Sequence, residues 1–179
     1  MIISIQIVYC RVHRVLVDTG SSVNILFKGT YKQLNLKSSS YDSCTSPLYG
    51  FTGDCAIPVG SKNLPVMIGE APLRQNVMTN FIVVDTPSAY NVILGRPFLS
   101  SIRGALSIYH NVLKFPVGTR VGEIRGDQQA PRDCYAMSND PAALARRCTQ
   151  LADEPSKGAS EQDHYILDDG EVPNMIVEE

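Results

Sequence analysis

The chain has 179 residues, a formal charge of −2 and five cysteines, which leaves room for one domain, or for one domain and a tail. The charge is unevenly distributed: residues 1–130 hold 12 Lys and Arg against 7 Asp and Glu, whereas residues 131–179 hold 4 against 11. This division predicts a domain followed by an acidic tail. The excess of positive charge comes without a basic cluster or a stacking motif, so it does not favour nucleic acid as a partner.

Short apolar segments follow one another along the chain in a pattern typical of strands. The predicted strands cover residues 2–9, 12–17, 23–27, 56–59, 64–68, 77–85, 90–94, 105–109 and 112–115. Two short helices are predicted at residues 28–34 and 98–102, and a turn at residues 60–63. Many short strands with one or two short helices predict an all-β barrel or sandwich.

Beyond residue 116 the strand pattern fades, and the predicted domain therefore covers residues 1–116. Residues 117–150 are interpreted as a linker. Residues 151–179 are acidic and hold few large apolar side chains, so they predict a largely disordered tail.

The five cysteines form no Cys-x-x-Cys pair. Their odd number and the lack of a secretory signal predict reduced thiols and a cytoplasmic protein. Cys10 and His13 could be two metal ligands, but no second pair follows at zinc spacing, so no metal and no cofactor are predicted. The apolar residues 1–9 are too short to span a membrane, so no membrane partner is predicted.

One stretch carries the chemistry: residues 15–22 read Val-Leu-Val-Asp-Thr-Gly-Ser-Ser. A buried strand here delivers the Asp18 carboxylate to a tight turn, and burial raises the free-energy cost of ionising a carboxylate. Hydroxyls at Thr19 or Ser21 can supply hydrogen bonds, and Gly20 permits close approaches of the backbone. A strand that ends in an Asx-turn would explain Asp18 without any chemistry.

Two further motifs follow in order: Leu-Tyr-Gly-Phe-Thr-Gly-Asp at residues 48–54 and Tyr-Asn-Val-Ile-Leu-Gly-Arg-Pro-Phe-Leu at residues 90–99. Together with residues 15–22, this set resembles the retroviral-type aspartic proteases (retropepsins). It looks most like the protease segment of gypsy-class LTR retrotransposon polyproteins from plants. Residues 114–116 and 121–128 are similar to the stretch that links protease to polymerase in those polyproteins, so the resemblance covers about residues 1–137. It implies a retropepsin-like barrel and an aspartic endopeptidase that matures a polyprotein.

The resemblance also implies roles for individual residues. Asp18 is implied as the catalytic aspartate and Thr19 as a hydrogen-bonding residue at the dimer axis. Gly20 would offer its backbone to the substrate, and Ser21 would donate to Asp18. The implied substrate-binding flap consists of Tyr49, Gly50, Phe51, Thr52 and Gly53, and the implied support beneath the active-site loop consists of Ile93, Leu94 and Gly95.

Hydrolysis by carboxylates needs two of them around one water, sharing a proton. This chain has a single apolar-Asp-Thr-Gly element, because Asp85-Thr86 is followed by Pro87 in place of glycine. One chain therefore supplies half a site, and we expect a two-fold homodimer that pairs Asp18 with its counterpart. The expected substrate is an extended polypeptide that adds to the protein like an extra strand.

Two features of the sequence depart from the retroviral pattern. Those proteases commonly carry an acid at the position of Ser22, where Arg96 would find a partner. The usual terminal dimer strands are not evident, and the start of the chain at a strand suggests a fragment of a longer polyprotein. The alternative function is therefore a catalytically inactive remnant with a structural or dimerisation role.

His13, Asp18 and Ser21 could also be interpreted as a Ser-His-Asp set. The sequence has no nucleophile elbow, so this interpretation is not favoured.

Overall fold

The structure is a computed structural model that describes residues 1–36, 41–44, 46–50 and 55–129. The predicted flap residues Phe51, Thr52 and Gly53 lie outside the described residues, as do residues 130–150 of the predicted linker and the predicted tail at residues 151–179.

The described chain is mostly β-structure with two short helices. The helices are α1 (Lys28–Gln33) and α2 (Arg96–Ser101). The strands are β1 (Ile2–Ile7), β2 (Cys10–Val17), β3 (Ile25–Phe27), β4 (Leu48–Tyr49), β5 (Cys55–Ala56), β6 (Pro58–Glu70), β7 (Leu73–Val84), β8 (Val92–Leu94), β9 (Ala105–Ser107), β10 (Val112–Val117) and β11 (Arg120–Arg125).

Six strands close into a barrel in the order β1-β2-β8-β3-β7-β6. The prediction of an all-β barrel with one or two short helices is thereby confirmed. β1 and β2 form an antiparallel hairpin, β2 runs parallel to β8, and β3 lies between β8 and β7. Alternate residues of each strand point inward, because successive side chains of a strand face opposite sides of a sheet. Val15, Val92 and Phe81 are fully buried in this interior.

The β6–β7 hairpin is longer than the sequence suggested. A turn was predicted at residues 60–63, but β6 continues through it and pairs with β7 from Pro58 to Glu70, with a register shift near Gly60. The prediction of two strands was wrong because the glycine serves packing and not a turn. A Cβ on Gly60 would lie 2.4 Å from Tyr41 Cβ and 2.8 Å from the carbonyl oxygen of Asp42.

A separate three-stranded sheet in the order β11-β10-β9 follows the barrel. β11 pairs with β10 along its whole length, so the predicted domain boundary after residue 116 falls inside β10 and strand pairing continues to Arg125. The backbone N–H of Asp127 then donates to the carbonyl of Ile2 at 2.8 Å. The sequence pattern did not indicate β11, because the only apolar residue on its outward face is Val121 and its central inward residue is Gly122, so large apolar residues do not mark one face.

We predict that Gly122→Ala destabilises the domain, because the added Cβ would lie 2.7 Å from Phe115 Cε2 and 2.9 Å from the carbonyl oxygen of Leu73. Overpacking of this kind costs about 1–3 kcal/mol in the free energy of unfolding, measurable by chemical denaturation. The neighbouring Val121 is 60% exposed, so Val121→Ala serves as the control and leaves the midpoint nearly unchanged. An unfolding free energy of Gly122→Ala equal to that of wild type would contradict the packing of β11 on Phe115.

Candidate active site

Asp18 stands at the point where a buried strand leaves the barrel. It directly follows β2, whose residues Val15 and Val17 are 0% and 3% exposed. The backbone N–H of Asp18 donates to the carbonyl oxygen of Leu94 at 3.0 Å, at the end of the neighbouring parallel strand β8. The side chain is half-buried. The fold therefore anchors the backbone of Asp18 in the sheet and leaves its carboxylate at the edge of the core.

The turn after Asp18 folds back on the carboxylate. The backbone N–H of Gly20 donates to Asp18 Oδ1 at 2.9 Å, and the N–H of Ser21 donates to the carbonyl of Asp18 at 3.4 Å. A Cβ on Gly20 would lie 3.2 Å from Oδ1, which is tighter than nearly all real Cβ contacts. Within the described residues, Oδ2 accepts no hydrogen bond. One oxygen of the carboxylate is therefore fixed by the turn and the other remains available.

The hydroxyl of Ser21 does not reach Asp18. Its Oγ donates to the carbonyl of Val23 at 2.8 Å, two residues further on. The expectation that Ser21 donates to Asp18 was therefore wrong, because the hydroxyl satisfies a nearby backbone carbonyl instead, as serine often does in turns.

The second apolar motif lies directly beside the first. In the parallel pairing of β2 with β8, Ile93 lies opposite Leu16 and Leu94 opposite Val17. Gly95 follows beneath the turn, where a Cβ would lie only 2.3 Å from the carbonyl oxygen of Val23. Leu94 and Gly95 thus contact the Asp18 turn, whereas Ile93 pairs with Leu16 within β2, and only glycine fits at position 95.

Asn24 is a site residue that the sequence reasoning missed. It is 4% exposed, and its amide bridges two elements: Oδ1 accepts from the backbone N–H of Gly95 at 2.9 Å, and Nδ2 donates to the carbonyl of Asn80 at 3.1 Å. A buried amide must find such partners, because an unsatisfied polar group in a core is costly. Its place between Val23 and Ile25, in an otherwise apolar run, was the available signal.

Arg96 contacts the catalytic turn through its backbone and its side chain. Its backbone N–H donates to the carbonyl of Ser21 at 2.9 Å, and Nη1 lies 3.4 Å and 3.3 Å from the carbonyl oxygens of Thr19 and Gly20. None of the ion pairs among the described residues involves Arg96. Position 22 is a serine and not the acid of the retroviral pattern. The guanidinium of Arg96 therefore binds neutral carbonyl oxygens instead of a carboxylate.

The flap motif forms the base of a hairpin. β4 and β5 pair antiparallel, with Leu48 opposite Ala56 and Tyr49 opposite Cys55. Tyr49 is 75% exposed and Gly50 is exposed as well. No hydrogen bond or ion pair joins the described flap residues to the Asp18 turn.

The structure brings together neither a Ser-His-Asp set nor a second active-site aspartate at Asp85. The Nδ1 atom of His13 lies 2.8 Å from Ser4 Oγ, and Ser21 bonds its own turn, so His13, Asp18 and Ser21 form no triad. Asp85 bonds Lys28, and this hydrogen bond and the charge of Asp85 raise the pKa of Lys28. Among the described residues, no group of three or more His, Cys, Asp or Glu side chains could hold a metal ion.

No helix in the described part of the chain is long and apolar enough to cross a membrane.

Comparison with known proteins yields matches of structure only. No protein-family model matches the chain, and no curated protein matches it. Twenty-eight chains of solved structures do match. One is the retroviral protease-like domain of Ddi1 from Leishmania major, with a TM-score of 0.49 and 19% identity, covering 69% of this chain and 92% of that one.

Another is the EIAV protease in complex with the inhibitor HBY-793, with a TM-score of 0.45 and 23% identity, covering 60% of this chain and 92% of that one. Both are likenesses of the fold alone.

We predict that Asn24→Ala destabilises the barrel, because it leaves the N–H of Gly95 and the carbonyl of Asn80 without their buried partner. The unsatisfied buried N–H of Gly95 costs about 1–3 kcal/mol in the free energy of unfolding, which thermal and urea denaturation can measure; Asn80 is exposed, so water can replace its lost partner. Ser100, an exposed residue of α2, provides the control Ser100→Ala. Equal stability of Asn24→Ala and wild type would show that the bridge is not needed.

Proposed function

We propose that this protein is an aspartic endopeptidase of the retropepsin type, with one active site built from Asp18 of two copies. The observation that carries the proposal is the fixed carboxylate of Asp18. Its strand is anchored to Leu94, its Oδ1 accepts from the Gly20 N–H at 2.9 Å, and its Oδ2 is unoccupied by any described donor. A carboxylate held in this way is oriented for proton transfer, and it forms no ion pair with another described residue.

A single carboxylate cannot perform the whole reaction. One acid must take a proton from the attacking water while a second, protonated acid donates to the oxygen of the scissile carbonyl. The described residues place no second carboxylate at the turn, since Asp85 pairs with Lys28. A two-fold axis beside the turn would bring the second Asp18, and a self-complementary dimer is the commonest symmetric assembly.

The proposed reaction keeps account of each proton. The ionised Asp18 removes a proton from water, the new hydroxide bonds the carbonyl carbon, and the protonated Asp18 of the other copy gives its proton to the carbonyl oxygen. As the C–N bond of the tetrahedral intermediate breaks, the first Asp18, now protonated, gives its proton to the leaving amine. The ionised Asp18 of the other copy takes a proton from one hydroxyl of the intermediate, so that an acid and an amine are released and the pair again holds one proton. Two carboxylates in such proximity titrate as a unit, because they cannot easily both ionise.

Substrate binding is proposed along the exposed residues of the turn, Thr19 and Gly20. The Gly20 carbonyl accepts from Arg96 and has a second lone pair, to which the N–H of an extended peptide can donate as an added strand does. The hairpin of β4 and β5, with Tyr49 exposed, would close over the peptide and exclude water. In this proposal Thr19 hydrogen-bonds at the dimer axis.

The proposed substrate is the polyprotein of a gypsy-class retrotransposon, in which the protease segment precedes a polymerase. The support for this context is the ordered set of three motifs in the sequence together with the stretch at residues 121–128. The partners are then a second copy of the chain and an extended polypeptide, with no cofactor.

We predict that Asp18→Asn abolishes cleavage of an unfolded protein substrate while the protein stays folded, because the amide cannot exchange the proton. The assay measures the rate of cleavage against protein concentration at roughly pH 5, where a carboxylate pair sharing one proton is expected to be active. The wild-type rate should rise faster than linearly below the dissociation constant of the dimer. Asp42, an exposed loop acid, provides the control Asp42→Asn, which should retain the wild-type rate.

Cleavage by Asp18→Asn at the wild-type rate would overturn the assignment of the site. A rate strictly proportional to concentration over the whole range, together with a monomer in sedimentation, would overturn the shared site. A folded wild-type chain that cleaves nothing at any concentration would favour the inactive remnant.

A further inference from the structure

Arg96 binds three consecutive carbonyl groups of the turn that follows Asp18. Its backbone N–H takes the carbonyl of Ser21, and Nη1 takes those of Thr19 and Gly20. These contacts join the first residue of α2 to the catalytic turn over a separation of more than 70 residues in sequence. One residue therefore contacts the carbonyl groups of three consecutive residues of the turn.

The direction of one of these carbonyls matters for Asp18. The C=O of Thr19 and the N–H of Gly20 belong to the same peptide group, and in a planar trans peptide these two groups point in opposite directions. Arg96 Nη1 approaches the oxygen end at 3.4 Å, and the nitrogen end donates to Asp18 Oδ1 at 2.9 Å. The peptide group thus lies between the guanidinium and the carboxylate, with both of its polar ends engaged.

We propose that Arg96 is a positioning residue that orients the Asp18 carboxylate through the Thr19–Gly20 peptide group. Binding of the carbonyl by a cation fixes the plane of the peptide and polarises it. The N–H at the other end becomes a better donor, because hydrogen bonds in a chain strengthen one another. The guanidinium does not touch the reacting atoms, and it acts on them through one intervening backbone group.

The chemistry of the site favours arginine for this purpose. Both carbonyls accept from the same nitrogen, Nη1, whose two N–H groups are fixed in the plane of an always-charged guanidinium, whereas the ammonium of lysine is a point charge on a flexible stem. Arg96 also forms no ion pair within the described residues, so no carboxylate competes with the two carbonyls. Hydrogen bonds with one charged partner are stronger than those between neutral groups.

This inference concerns the site of the proposed protease and rests on that function only where turnover is concerned. The link between Arg96 and the Gly20 N–H is a property of the folded chain, measurable without any substrate. The test therefore has a first measurement that is independent of proteolysis and a second that depends on it.

The first measurement is amide hydrogen exchange, followed by NMR, on the full chain of wild type, Arg96→Gln, Arg96→Lys and Arg120→Gln. We expect the Gly20 amide to exchange roughly tenfold faster in Arg96→Gln, because its peptide group loses the contact that fixes it. Core amides such as that of Val15 should exchange as in wild type. The side chain of Arg120 is exposed and forms no hydrogen bond or ion pair with the other described residues, so Arg120→Gln should leave Gly20 unchanged.

Arg96→Lys keeps the positive charge and removes the planar guanidinium. Faster Gly20 exchange in Arg96→Lys than in wild type would support the geometric role. Exchange identical to wild type in Arg96→Lys would overturn it, because charge alone would then suffice. Unchanged Gly20 exchange in Arg96→Gln, or equal acceleration at Gly20 and at core amides, would also overturn the proposal, the latter by showing general loss of structure.

The second measurement is steady-state cleavage by the same four proteins. We expect Arg96→Gln to lower kcat by roughly tenfold with little change in KM, because the residue positions a reacting group and does not contact the substrate. A fall confined to KM would overturn the positioning role. If no variant and no wild type cleaves, the proposed function fails, while the exchange measurement still decides the role of Arg96.

Discussion

The parallel pairing of β2 with β8 is the interaction on which the candidate site depends. The two buried strands end side by side, with Val17 opposite Leu94. The turns that begin at Asp18 and at Gly95 are therefore neighbours at one edge of the barrel. The hydrogen bond from the Asp18 N–H to the Leu94 carbonyl closes this junction at 3.0 Å. Burial of their apolar side chains fixes both strands in the barrel. The backbone of Asp18 is therefore held in place, and its carboxylate is held with it.

Each hydrogen bond that holds the turn at this junction has a backbone group as at least one of its partners. The carboxylate of Asp18 accepts from the N–H of Gly20, and the carbonyls of Thr19 and Gly20 accept from Arg96. The N–H of Gly95 donates to the side-chain oxygen of Asn24. Close approach of this kind requires glycine, since a Cβ on Gly95 would lie 2.3 Å from the carbonyl oxygen of Val23. The Asp-Thr-Gly and Ile-Leu-Gly motifs are thus two halves of one packed unit.

The sequence predicted the parts of the fold that depend on periodic burial and missed those that depend on backbone contacts. The strands that lead to Asp18 and to Gly95 carry runs of Val, Ile and Leu, so their position was evident. The sequence predicts a turn at Gly60, because it cannot distinguish a glycine needed for a turn from a glycine needed where another segment packs closely against a strand. β11 was missed because Gly122 replaces the large apolar residue that marks an inward position, and its burial against Phe115 appears only in three dimensions.

The same limit applies to the site. Asp18 and its glycine could be found from the sequence, because an acid after an apolar strand is unusual. The partners of Arg96 could not, since they are backbone carbonyls of Thr19 and Gly20 that carry no signature in the side-chain sequence. The prediction for the hydroxyl of Ser21 failed for a related reason, because the hydroxyl donates to the backbone carbonyl of Val23.

The central claim is that two chains share one site, and the most direct measurement is the stoichiometry of a ligand that requires both carboxylates. A peptide in which a hydroxyl-bearing carbon replaces the scissile carbonyl mimics the tetrahedral intermediate, and transition-state analogues bind far more tightly than substrates. Calorimetric titration of the chain with such a peptide is predicted to saturate at one peptide for every two chains. Saturation at one peptide per chain would contradict the account, because each Asp18 would then form a complete site alone.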